Sequence, residues 1–407
     1  MVRLPRPLRE KVGVRGVLVG LFVVGLAAVA GCKKSDSALT WTRTFGGASS
    51  DWGNSVQQTR DSGYVVTGCF GQYGAGEGDL WLIKTDAAGD TVWTRTCGGA
   101  HMDWGNAVRQ TQDGGYIVAG CTRSVGEDFG TVWLVKFSAE GDTVWTRTFG
   151  GTDGEEGTAV QETQDGGYVV TGNTYHFGAG SNDMWLIKTD AGGDSVWTRA
   201  YGGADDDRAS SVQQTIDGGY IIVGATLSYG AGNWDVWLVK TDSNGLMIWN
   251  KTYGGTSYDW GYSVQQTRDG GYIIAGTTYG PGRHNAWLLK VDANGDTVWT
   301  RDFDWRNNSE VRSVRQTEDR GYIVSGFTQC VGPGGTDVWL VKTDADGDTI
   351  WTRTFGGDRD EWGNCVQQAQ DGGYIVTGFT MSYGAGRDDV WLVKTGPNGE
   401  VDEGGGN

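Results

Sequence analysis

Short runs in which large apolar residues crowd together, or alternate with Thr, Gln and Gly, recur along the chain after residue 38. The first four occupy residues 55–59, 64–69, 80–85 and 91–97. They are rich in β-branched and aromatic side chains, the composition of strands. Asp61-Ser62-Gly63 separates the first two runs, and Asp86-Ala87-Ala88-Gly89-Asp90 separates the last two. Asp, Asn and Gly tolerate positive φ, so both segments predict tight hairpin turns. No window of eleven or more residues shows a helical period, and no helix is predicted.

The four runs and their turns repeat as one unit of about fifty residues. One Trp series runs Trp41, Trp93, Trp145, Trp197, Trp249, Trp299 and Trp351, with spacings of 52, 52, 52, 52, 50 and 52. A second runs Trp81, Trp133, Trp185, Trp237, Trp287, Trp339 and Trp391, each within a segment like Asp79-Leu80-Trp81-Leu82-Ile83-Lys84-Thr85-Asp86. Four antiparallel strands repeated seven times predict an all-β, seven-bladed β-propeller, because a sandwich would not keep a fixed period. Residues 39–45 match the fourth run of a unit, while the last unit stops after its third run near Lys394. The N-terminal strand is therefore expected to complete the last blade and close the ring, which removes the open sheet edges.

The segment before the repeats has a different composition. Residues 1–31 hold five basic side chains and one acid, followed by an apolar run from Val17 to Ala30. That is the pattern of a secretory signal, with an apolar run too short and too near the N-terminus for a spanning helix. It ends in Val29-Ala30-Gly31-Cys32, which resembles the lipobox of bacterial lipoproteins. The resemblance implies that Cys32 becomes the first mature residue and carries acyl chains that anchor the domain to a membrane. The expected organisation is signal 1–31, lipidated Cys and short tether 32–38, propeller 39–394, and a disordered Gly-rich acidic tail 395–407. Lys33 follows the acylated Cys where an inner-membrane retention signal would show Asp, which favours the outer membrane where a cell has two.

With 71 Gly against 5 Pro and 20 Trp, the glycine belongs to turns between aromatic strands. The formal charge of −17 becomes more negative once the basic signal is removed. That field excludes nucleic acid as an expected partner and favours cations, basic proteins or neutral sugars. Cys69, Cys97, Cys121, Cys330 and Cys365 are scattered singly, so at most one or two disulfides are expected and their pairing is open.

The units, with Asp-Gly-Gly-Tyr-Ile-Val-x-Gly and Trp-Leu-x-Lys-x-Asp-x-x-Gly-Asp-x-x-Trp, resemble the propeller repeats of bacterial and archaeal secreted proteins. They are also similar to PQQ-like repeats. PQQ-type blades place Thr-Gly-Lys before the closing Trp, where this chain has Gly-Asp, and the cofactor enzymes usually have eight blades. No PQQ dependence and no other cofactor are therefore expected.

Six Trp lie outside the two series, and all are expected in loops: Trp52, Trp104, Trp260 and Trp362 at one repeat position, with Trp234 and Trp305 as singletons. In a propeller, the connection into each blade and the connection between its second and third strands open on one face. The first loop set carries Asp51-Trp52, Asp103-Trp104, Glu155-Glu156, Asp207-Arg208, Asp259-Trp260 and Glu361-Trp362; the second carries Tyr73, Phe129, Tyr175, Tyr229, Tyr279 and Tyr383. An acidic ring with interleaved aromatics is expected there, and two arrangements are open: an exposed ring suited to sugar faces or protein anchors, or Trp packed over the blade tops with the acids bonded to loop amides. Asp79, Asp183, Asp235, Asp337 and Asp389 are expected to cap turns, and the hairpin acids lack the regular oxygen spacing of a calcium loop. The inner strands repeat Val-Gln-Gln-Thr, with Arg109, Glu162 and Arg315 as charged exceptions, and Gln cannot act as an acid or base near neutral pH. His101, His176 and His284 stand apart from any nucleophile or metal spacing.

These features predict a monomeric, membrane-anchored extracytoplasmic propeller that binds protein or glycan without catalysis. The alternative is an extracytoplasmic polysaccharide hydrolase or lyase working at the same face.

Overall fold

The computed structural model describes residues 39–401, apart from 72–76, 126–128, 152–153, 281–282, 304–307, 330–331 and 333. The signal, Cys32, the tether, Tyr73, Trp305 and Cys330 lie outside the described residues.

Numbering strands in chain order, blade 1 is β2 (Trp52–Gln58), β3 (Tyr64–Phe70), β4 (Asp79–Thr85) and β5 (Thr91–Cys97). Among the described residues, seven such four-stranded antiparallel sheets form a seven-bladed propeller. The first strand of each blade is innermost, beside the inner strands of its neighbours. The ring closes as expected: β1 (Trp41–Phe45) pairs with β28 (Asp389–Thr395), with Trp41 opposite Lys394 and Phe45 opposite Val390. That pairing makes β1 the outer strand of the blade that begins with β26 (Glu361–Gln368) and β27 (Tyr374–Thr380).

The repeat motifs explain how the blades hold together. β3 and β4 are buried between flanking blades along nearly their whole length, whereas β5 alternates between exposed and half-buried positions as an outer edge should. Each closing Trp packs edge-on against the Tyr that starts the second strand of the next blade, as in Trp41–Tyr64 at 5.6 Å between ring centroids and Trp93–Tyr116 at 5.7 Å. In six of the seven an Arg two residues on covers the indole, with Arg147 5.4 Å from Trp145, while Trp249 is followed by Lys251. The Trp41 ring also lies beneath the hairpin of the next blade, where Gly89 has φ +81° and a methyl group would sit 2.8 Å from the indole. Only glycine meets both conditions, which accounts for the Asp-x-x-Gly-Asp turn.

The Asp-Gly-Gly turn is fastened from below. Asp165 takes bonds from Thr163 Oγ1 at 2.6 Å and Gly167 N at 3.0 Å, and pairs with Lys188 Nζ at 2.9 Å. Lys188 itself is almost wholly buried along the third strand, and the same Lys–Asp pair recurs in every blade.

Two rings of amides tie the blades around the central channel. The first Gln of each Val-Gln-Gln-Thr accepts a backbone N–H from the inner strand of the next blade: Gln110 N to Gln57 at 2.6 Å, Gln214 N to Gln161 at 2.7 Å, Gln266 N to Gln213 at 2.6 Å, Gln316 N to Gln265 at 2.6 Å and Gln58 N to Gln367 at 2.7 Å. The second position accepts a turn N–H from the preceding blade at all seven junctions, with Glu162 serving where Gln is replaced. Strands far apart in sequence are thereby coupled by bonds typically worth about 1 kcal/mol each.

Two sequence expectations need correction. Trp52, Trp104, Trp260 and Trp362 do not lie in loops but within the inner strands, next to a β-bulge such as that between Gly53 and Ser55. The propeller also continues past 394: Gly396 N bonds Glu400 O at 2.9 Å, and Gly399 lies against Trp351, repeating the hairpin that covers the other closing Trp residues. Residues 395–401 are thus part of the seventh unit, and 402–407 lie outside the described residues. Cys69, Cys97, Cys121 and Cys365 are free thiols.

Candidate functional site

The acids that lead the pairs of the first loop set are buried. Asp51, Asp103, Glu155, Asp207 and Glu361 are 0% exposed and Asp259 is 1%. Their carboxylates fasten the two loop sets together. Asp51 accepts Gly47 N at 2.8 Å from the incoming loop and Gly71 N at 2.8 Å from the loop after β3. Asp103, Asp207 and Glu361 repeat the arrangement through Ser124, Ser228 and Ser382. An acid preceded by a Gly-rich turn reads the same whether it faces solvent or its own loop, and here the amides of that turn draw it inward. Glu155 is buried with neither carboxylate oxygen hydrogen-bonded among the described residues.

Three of the third-strand acids cap the loops before them, as expected: Asp183 accepts Gly180 N, Asp235 accepts Ala231 N, and Asp389 accepts Gly386 N. Their other oxygens meet the loop-stapling acids of the adjoining blade. A methyl group on Gly46 would lie 1.9 Å from Asp389 Oδ1 and 2.7 Å from Asp51 Oδ2. The two carboxylates therefore flank one glycine within about 5 Å of each other, close enough for like charges to oppose ionisation. Gly98, Gly202, Gly254 and Gly356 mark the same meeting for Asp79–Asp103, Asp183–Asp207, Asp235–Asp259 and Asp337–Glu361. Burial, reinforced by neighbouring acids, raises the carboxyl groups of Asp51, Asp183, Asp235 and Asp389, and pushes Asp337 up to about 6.

What surrounds the channel mouth is the column of residues that follows these acids: Trp52, Trp104, Glu156, Arg208, Trp260, Glu310 and Trp362. The bulge leaves this column, apart from the buried Glu310, and the residue two further on both half-buried, as with Trp52 and Asn54 or Trp104 and Asn106. Between blades 1 and 2, Trp52, Asn54, Cys69, Met102, Trp104 and Asn106 line a mainly apolar groove of about 280 Å³. Glu156 closes its far side, accepting Trp104 Nε1 at 3.0 Å and Asn106 Nδ2 at 2.7 Å.

Arg123 covers Trp104 at 5.4 Å, and the aromatics on the other side of the mouth are packed as well. Trp234 lies 4.9 Å from Trp260, with Arg208 over Trp234 at 5.7 Å. Arg312, bonded to Glu310 at 2.7 Å, covers Trp362 at 4.9 Å, and Phe327 stacks on that Trp at 4.3 Å. Trp260 Nε1 donates to Ser210 and Trp362 Nε1 to Thr336. Of the aromatic and acidic residues singled out in the sequence, Trp52 and Trp104 thus frame a groove with Glu156 at its edge, while Trp234, Trp260 and Trp362 are held in packing contacts. Asn54, Asn106, Met102, Glu310 and Arg312 were not singled out. Their repeat column beside the Trp was the available signal.

The loop aromatics sit farther out. Phe129 is 66% exposed, and Tyr229 and Tyr383 donate to the carbonyls of Gly202 and Gly356. His284 rests 3.8 Å from the Tyr279 ring, and His101 is exposed. Among the described residues no group of three His, Cys, Asp or Glu could hold a metal ion, and no helix is long and apolar enough to cross a membrane.

No protein-family model matches the chain. A regulatory protein, FlaEY of Caulobacter vibrioides, is 28% identical over 180 residues, covering 38% of this chain and 19% of its own length. The chain therefore matches about a fifth of that protein. Solved structures similar to the chain include Sqt1 of Chaetomium thermophilum bound to the N-terminus of ribosomal protein L10, at 12% identity, with 82% of this chain and 84% of that one covered and a TM-score of 0.47. The Pan2 WD40 domain of Neurospora crassa is similar at 10% identity, 88% and 98% coverage and a TM-score of 0.48. A protein of unknown function from Dyadobacter fermentans is similar at 13% identity, 87% and 98% coverage and a TM-score of 0.47.

Proposed function

We propose that this chain is a membrane-tethered, extracytoplasmic binding module that captures a protein or glycan segment on its loop face without reacting with it. The groove between Trp52 and Trp104 carries this reading. Two indoles with Asn54 and Asn106 amides beside them suit a sugar ring stacked on its apolar face, or an apolar side chain inserted as an anchor. Hydrolysis or lyase chemistry on a polysaccharide would call for two carboxylates in an open cleft. The closest carboxylates described above are sealed under loops at successive blade junctions, which favours binding over cleavage.

Capture of glycans on an array and of envelope proteins in a pull-down tests the groove, comparing wild type with Trp52→Ala/Trp104→Ala and with Trp260→Ala. The groove double variant is expected to lose at least ten-fold in capture while Trp260→Ala keeps it. Equal capture by wild type and the double variant would remove the groove from the reading. The tether is tested separately: labelled fatty acid should enter the protein in cells and be absent from Cys32→Ala.

A further inference from the structure

The central channel has a chemistry of its own, away from the loop face. Near the ends of the inner strands it widens into a cavity of about 360 Å³ lined by Gln57, Arg109, Gln161, Gln213, Gln265 and Arg315, among others. The Gln carbonyls are occupied, because each accepts the inter-blade N–H described above. That orients their amide nitrogens away from those bonds, and none of these four nitrogens donates to a protein acceptor among the described residues.

At the two positions where the ring lacks Gln, it has Arg. Arg109 donates through Nη1 to Val108 O at 2.7 Å and Ser55 Oγ at 3.4 Å; Arg315 donates through Nη1 to Val314 O at 2.7 Å and Ser263 Oγ at 3.3 Å. Each guanidinium is anchored by one end and, among the described residues, its remaining nitrogens make no further hydrogen bond. Neither is paired with a carboxylate among the described residues. Burial, and then the charge of Arg315, pull Arg109 down to about 10. Arg60 also lines the cavity, and the single acid there, Glu162, accepts Gln112 N at 2.8 Å. A chain of net charge −17 thus surrounds a cavity lined by three Arg and one Glu, in which guanidiniums and free amide donors converge.

We propose that this channel cavity binds a small multivalent oxyanion, phosphate or a short polycarboxylate, between Arg109 and Arg315. Forked guanidinium donors match the oxygens of either group, and the Gln amides complete a shell of donors around it. The inference is independent of the loop-face groove, which lies at the opposite end of the inner strands.

The test uses Arg109→Gln, Arg315→Gln and the double variant, which restore the Gln that other blades carry at this position and so should fold. Titration calorimetry and thermal melts with inorganic phosphate, and separately with citrate, are compared with chloride at equal ionic strength. Wild type should bind one anion per chain and melt higher with it, each single variant should bind at least ten-fold more weakly, and the double variant should show no shift. Response to phosphate alone identifies a compact tetrahedral ligand, and response to citrate alone a polycarboxylate. Either supports the site. No shift beyond chloride in wild type, or an unchanged shift in the double variant, would overturn it.

Discussion

Replacing Asp337 by Asn should stabilise the protein at pH 8 and leave it nearly unchanged at pH 4. Asp337 is 2% exposed, its Oδ1 has no hydrogen-bond partner among the described residues, and it shares Gly356 with the Glu361 carboxylate. Glu361 accepts Gly357 N, Ser382 N and Thr380 Oγ1. Burial first, then Glu361 and Asp360, raise the Asp337 carboxyl to about 6 from 3.8. A carboxyl raised in the folded state stabilises fully below its unfolded value, and that contribution is lost as pH rises through the folded one. That rise corresponds to about 3 kcal/mol at most between pH 4 and pH 8, with about 1–2 kcal/mol expected after local relaxation. Asn keeps the shape and cannot ionise. Urea denaturation of both proteins at several pH values gives the difference directly. A gain that is the same at pH 4 and pH 8, or a loss at pH 8, would refute the account of the buried acid pairs.

Other outcomes follow from the same geometry. Trp41→Ala should cost about 3–5 kcal/mol in urea denaturation, because the indole is buried against Tyr64 and beneath Gly89 where the ring closes. Gln265→Ala should cost about 1 kcal/mol by removing the acceptor of Gln316 N, and amide exchange at Gln316 should quicken. Burial works against ionisation of Asp165, but bonds from Thr163, Lys188 and Gly167 outweigh it and hold the carboxyl down to about 2. The stability it contributes is present above its unfolded value near 3.8 and is lost as pH falls toward 2, so Asp165→Asn should flatten the acid limb of the wild-type pH–stability curve.

Together, the raised and lowered carboxyls place the stability maximum at mildly acidic pH, between the range where Asp165 protonates and the range where Asp337 ionises. A pH series of thermal melts checks that position. A maximum above pH 7 would contradict it.

Much of the architecture was legible because it is repeated. A strand pattern seen once is ambiguous, but seven copies with matching turns specify the blade, and the split between residues 39–45 and the last unit specified which strands pair at closure. Local chemistry could be read too: Asp with Gly-Gly makes a turn, and an acid before a loop-proximal strand caps it. Direction was not legible. Asp51 and its counterparts are acids in polar segments, and only the folded loops decide that their carboxylates turn inward to amides instead of outward to solvent. The bulge beside Gly53 likewise determines how Trp52 and Asn54 come to edge a groove. The Gln rings and the meeting of Arg109 with Arg315 join residues from different blades, brought together only when the seventh blade meets the first. Sequence by itself determined the unit and its count, since both depend on short-range pattern. Tertiary structure alone decided which polar groups face one another, because burial and charge proximity belong to the closed ring and to no single blade.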